Sequence, residues 1–199
     1  MSWLLSLLER LIPLKWRMAY WLERRRSFDY VKTKLGMQNV PLSELSKHKH
    51  YPLFSKYQDD ILMIRLTARL NRGDSTYSVW KNLKLDTISP QHDMTINELR
   101  HELEKIENTK VFQVYKRYAV MFDKTMSKSL DPTFDEDAVT LEKMARAHIW
   151  AENHWQKNDV KSFLGLSYAS EDELKRNELY QFFLDKVKER RSAPQQWDL

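Results

Sequence analysis

The chain has 199 residues, 31% of them charged, a net charge of +5, three glycines, six prolines and no cysteine. So little Gly and Pro excludes collagen-like and low-complexity chains and disfavours turn-rich β architectures. The lack of cysteine excludes a disulfide scaffold, a thiolate metal site and a cysteine nucleophile.

Residues 1–26 read as an amphipathic arm. Trp3, Leu7, Leu11, Leu14, Met18 and Trp21 recur at spacings of three and four, and Leu4, Leu8, Ile12 and Leu22 widen the stripe. Pro13 kinks or divides this helix. Trp16 adds a further large aromatic; Lys15 and Arg17 sit midway, and Arg24, Arg25 and Arg26 close the arm. Aromatics flanked by cations suit a helix lying in a lipid headgroup region, or one docked on a partner protein or on its own core. The opening MSWLLSLL is interrupted by Glu9, Arg10, Lys15 and Arg17, so it lacks the order of a secretory signal and is expected to stay in the mature protein.

Residues 27–50 suggest a short helix between loops, ending in the basic run Lys47-His48-Lys49-His50. A helix is predicted over 55–72, with Ser55 and Gln58 at capping-box spacing and Gly73 as its stop. A short helix over 75–84 and a loop over 86–94 follow. Thr95 and Glu98 form a second capping box before a helix to about residue 107. Residues 109–129 carry the stripe Phe112, Tyr115, Ala119, Phe122 and Met126. Asp131-Pro132 breaks the chain, and a helix is predicted from Thr133 or Asp135 to Lys157. Residues 158–165 form a short helix or turn. Ser170 and Glu173 form a third box, opening a helix to Arg191. No repeat of fixed period is visible.

The leucine-rich helix, the turn Gly73-Asp74-Ser75 and the short helix after it resemble cytoplasmic units of the inner-membrane platform family of type IV pili and type II secretion systems. Leu66, Leu70, Gly73, Ser75, Val79 and Trp80 carry the likeness, within residues 51–90. The resemblance implies an assembly platform without catalytic residues.

Chemistry-bearing motifs are few. No phosphate-cradling glycine loop, HExxH or GxSxG is present. Glu98 and His101, at i, i+3, have the spacing used by di-iron bundles, but no second such pair or matching carboxylates accompany them, so neither metal nor cofactor is expected. His148, near Trp150 and Trp155, reads either as a histidine in an aromatic pocket or as one at the edge of a core. Trp197 stands in a polar tail as a candidate contact.

These readings predict an all-α protein: the arm over 1–26, a bundle of about seven helices over 27–192, and a flexible tail over 193–199. No window of 18 uncharged apolar residues exists, so no transmembrane helix is expected. The expected function is a non-enzymatic adaptor or structural component of a multiprotein assembly. It would be cytoplasmic or peripheral at a membrane, tethered by Trp3, Leu4, Leu7, Leu8, Leu11, Leu14, Trp16 and Trp21. Lys15, Arg17, Arg24, Arg25, Arg26, Lys47 and Lys49 would meet an anionic partner. The alternative is a basic nucleic-acid-binding protein using Arg24–Arg26, Lys47–Lys49 and the basic end Lys186–Arg191.

Overall fold

The computed structural model describes residues 12–87, 94–126 and 138–192. Among them all regular structure is helical: ten α-helices, two short 3-10 turns and no strand. The protein is therefore all-α. The described residues fall into two compact units, divided between Arg69 and Leu70.

The first unit is built on α1 (Leu14–Glu23), α2 (Phe28–Lys34) and α3 (Tyr51–Asn71). Its core is Trp21, Val31, Leu35, Met37, Phe54, Tyr57 and Ile61, with Leu14, Met18 and Leu22 half-buried against it. Phe28 meets Phe54 and Tyr57 edge-to-face, at centroid distances of 6.4 and 6.2 Å. This arrangement adds to plain area burial because ring edges and faces carry opposite partial charge. The Tyr57 hydroxyl donates to the carbonyls of Arg26, at 2.6 Å, and Trp21, at 3.2 Å, pinning the α1–α2 turn onto α3. The described end of the arm is thus not a free-standing tether. It contributes the largest side chain of this core.

The second unit contains α4 (Thr76–Asn82), α5 (Ile96–Ile106), α6 (Lys110–Met126), α7 (Thr140–Glu152), α8 (Lys157–Phe163), α9 (Glu171–Arg176) and α10 (Glu178–Ser192). Helix α7 is its centre: nine of its residues, from Leu141 to Ala151, are buried, and it packs most extensively on α10, then on α5 and α6. Ala145, Ala147 and Ala151 lie among them and let neighbouring helices come close. The predicted stripe of α6 is in place, with Phe112, Tyr115, Ala119 and Phe122 all buried.

Two predicted capping boxes form. Glu98 accepts from the Thr95 amide at 2.7 Å, and Glu173 from the Ser170 amide at 2.7 Å. The third does not. Helix α3 begins at Tyr51, so Ser55 lies inside it. Pro52 in the first turn explains the earlier start, since its missing N–H is one the helix leaves unpaired there anyway. The predicted last helix is two: the backbone turns extended at Asn177, whose side chain accepts from the Tyr180 amide at 2.9 Å and caps α10. Pro13 is the residue before α1, with extended ψ of 139°, and so starts that helix.

A local design recurs three times. A residue with positive φ (Arg25, Gly73, His154) stands two places before the N-cap (Ser27, Ser75, Gln156) of a seven-residue helix. Each helix carries a buried valine (Val31, Val79, Val160), ends on leucine (Leu35, Leu83, Leu164), and is followed by a second residue with positive φ (Gly36, Lys84, Gly165). Every described residue with positive φ belongs to one of these turns. Glycine takes that backbone region without a Cβ clash, and at Lys84 the same geometry is held by a side-chain-bearing residue. The copies are unequally spaced and share few residue types, so no period shows in the sequence. The Gly-x-Ser element of residues 73–75 is one copy of this internal motif.

Candidate functional site

The outer face of α1 carries two exposed aromatic side chains. Trp21 is fully buried and Leu14 half-buried, and the same rotation leaves Trp16 and Tyr20 outside at 62% and 44% exposure; Ile12, just before Pro13 and ahead of the helix, is 44% exposed. Trp16 and Tyr20 stand at i, i+4 and form one strip on this face of α1. Cations accompany it: the Lys15 ammonium lies 5.8 Å from the Trp16 ring, and the Arg24 guanidinium 5.7 Å from Tyr20. Arg26 lies 5.0 Å from the Tyr30 ring. Ring faces attract cations, so these contacts hold positive charge beside the strip. Trp3, Leu4, Leu7, Leu8, Leu11 and Trp197 lie outside the described residues.

The basic residues predicted to face an anionic partner are partly gathered. His50 is held below its ordinary value first by burial, then by the charges of Lys49, His48 and Arg17. Arg17 and the 48–50 turn therefore share one positive neighbourhood. The turn is fixed by the His50 amide, which donates to His48 Nδ1 at 3.2 Å. Lys49 is exposed, whereas Lys47 pairs with Glu44 at 3.2 Å. Arg25 is exposed too, in the left-handed turn before α2.

The second unit holds a buried ionic network that the sequence did not suggest. Arg146 is fully buried and bonds Asp123, which also accepts from Trp150 Nε1 at 2.7 Å. Glu142, equally buried, accepts from the Tyr115 hydroxyl. Burial pushes both carboxyls up, and Arg146 draws them back down. Burial opposes the charge on Arg146, but Asp123 and Glu142 outweigh it and raise its pKa. Tyr115 is raised well above the phenol range, first by burial and then by the Glu142 charge. Tyr115, Asp123, Glu142, Arg146 and Trp150 are all fully buried, so each charge depends on its partners within the network.

His148 lies at the edge of the core rather than in an aromatic pocket. Its Nε2 sits 3.4 Å from Glu107 and 3.5 Å from Glu152, and Lys116 bonds Glu152 at 2.8 Å. Burial lowers its pKa, the two carboxylates raise it, and Lys186 and Lys116 lower it; the net direction is down. The unfolded imidazole takes its proton near pH 6.5, whereas the folded one takes it only at lower pH. Between those two points the unfolded state binds more protons, so stability falls as pH falls through that window. Replacing His148 with Gln should flatten this dependence, whose slope is at most about 1.4 kcal/mol per pH unit. Urea unfolding at pH 7 and pH 5 measures it; an unchanged slope would show that His148 does not titrate in this way.

Glu98 and His101 are not brought to a common centre. Glu98 is engaged with Thr95, and His101 lies 3.6 Å from Glu104 on an exposed face. Among the described residues no three His, Asp or Glu side chains gather as a metal site. No described helix is long and apolar enough to cross a membrane.

No family model matches the sequence, and no solved structure is significantly similar to it. A secreted RxLR effector protein of Phytophthora infestans (strain T30-4) is 27% identical over 125 residues, covering 62% of this chain and 51% of that protein. The chain spans about half the length of that relative.

Proposed function

We propose that the chain is a non-enzymatic adaptor that attaches through the outer strip of α1 to an anionic membrane surface. The observation that carries this reading is the placement of Trp16 and Tyr20 on the outer face of a helix whose other side is locked into a core by Trp21. A core helix has no packing use for an exposed tryptophan, while an aromatic strip with cations beside it suits the headgroup boundary. The relative named an effector is in keeping with a protein that acts by engaging another molecule. A platform-like role in an assembly, as the Gly-x-Ser unit suggested, is compatible with the same tether.

Cosedimentation of the full chain with phosphatidylcholine vesicles containing phosphatidylserine tests it. Binding should fall severalfold in a Trp16→Ala/Tyr20→Ala variant and on raising the salt, with an unchanged circular dichroism spectrum. Binding that the double variant leaves intact, or none at all, would overturn the lipid tether; in the second case a partner protein is the next occupant to test.

A further inference from the structure

A cleft of about 350 Å³ in the second unit is bordered by the α7–α8 turn and the last turns of α10. That volume lies in the range of small-ligand pockets, about 300–1,000 Å³. Its lining is apolar at Trp155, Phe183 and Val187 and cationic at Lys157, Arg190 and Arg191. No carboxylate lines it among the described residues. Several cations of this unit have a carboxylate partner: Lys116 bonds Glu152, Lys186 lies 2.9 Å from Glu189, and Arg100 lies 3.0 Å from Asp185. Lys157 and Arg191 have no carboxylate partner among the described residues. Arg190 is steered into place by the Ala151 carbonyl, to which it donates.

The aromatic lining is equally fixed. The Trp155 ring stands edge-to-face on Phe163 at 5.2 Å, and its amide donates to the Trp150 carbonyl at 3.1 Å. Phe183 is fully buried beneath the cleft. Uncompensated cations repel one another, and an anion between them relieves that repulsion while forming charge-assisted hydrogen bonds. An inorganic anion alone would leave the apolar lining unused. A flat ring on the same ligand would cover it, as bases cover aromatic side chains in single-strand binders.

We infer that this cleft binds a phosphate carried on a flat ring, the chemistry of a nucleotide. The ring lies against Trp155 and the phosphate between Lys157 and Arg191. The source is either a free mononucleotide or one nucleotide of a single strand. The site shares no residue with the α1 strip, so either proposal can fail without the other.

Calorimetric titration of the full chain at low salt tests it, using adenosine monophosphate, adenosine, inorganic phosphate and an eight-nucleotide single strand. The monophosphate should bind at least about tenfold more tightly than adenosine or phosphate alone, because it engages both the aromatic and the cationic lining residues. Lys157→Glu/Arg191→Glu should weaken it at least about tenfold, with unchanged circular dichroism and an unchanged thermal transition. If the strand binds more tightly than the monophosphate and loses the same factor in the variant, nucleic acid is the source; if the strand gains nothing, a free nucleotide is. Absent monophosphate binding, equal binding of phosphate alone, or a variant that binds as the parent does would each overturn the assignment.

Discussion

Arg146→Ala should lower the stability of the chain by about 3–5 kcal/mol, the cost of leaving buried charges without their partner. Arg146 is fully buried, and removing it strands the equally buried carboxylates of Asp123 and Glu142. Either both carboxyls take up protons or water enters the core of the second unit, and both routes cost folding free energy. For a chain of this length the loss corresponds to a fall in Tm on the order of 10 °C. A triple variant, Asp123→Asn, Glu142→Gln and Arg146→Met, removes all three charges while keeping oxygen acceptors for Trp150 and Tyr115. It should recover most of the loss, because a neutral set of similar shape has no desolvation debt. Urea unfolding at pH 7 measures both. Equal losses in the two variants would show that the shape of the Arg146 side chain, not its charge, holds this core.

That network marks where sequence reading stops. Local signals were legible: Thr95 with Glu98 and Ser170 with Glu173 announce helix starts within four residues, and the structure keeps both. The stripe of α6 was legible too, since Phe112, Tyr115, Ala119 and Phe122 follow one face. The charges of α7 were not. Glu142 and Arg146 stand at i, i+4, the spacing of an ordinary exposed ion pair, and only the tertiary neighbours Asp123 and Tyr115 on α6 show them to be interior. Asn177 escaped notice for a similar reason. An Asn flanked by helix formers reads as helix, and its role as a cap appears only when the chain bends there. The thrice-used turn is written mainly in backbone angles, which Arg25, Gly73 and His154 satisfy with three different side chains. Of the candidate strip, the sequence located the helix but not its rotation. Trp16 and Trp21 both read as apolar stripe, and packing alone decided which one entered the core.

Those two tryptophans, five positions apart on one helix, should therefore respond oppositely to the same change. Trp21→Ala removes a side chain that is 0% exposed and touches the cores of all three helices of the first unit. The lost transfer energy and the cavity together come to about 3–5 kcal/mol. Tyr57, whose hydroxyl donates to the Trp21 and Arg26 carbonyls, would lose the fixed turn it depends on. Protection of the α2 and α3 amides against hydrogen exchange should drop with it. Trp16→Ala removes a side chain that is 62% exposed, and the stability change should stay within about 0.5 kcal/mol, as for ordinary surface positions. A chain starting at Ser27 lacks both, so it should show the exchange defect of Trp21→Ala, not merely lose an attachment. Thermal unfolding and amide exchange of the three proteins decide between the two roles. If the chain from Ser27 onward keeps full protection in α2 and α3, then α1 is a dispensable arm after all. If Trp16→Ala is as destabilising as Trp21→Ala, the outer strip is packed against something and is not available for docking.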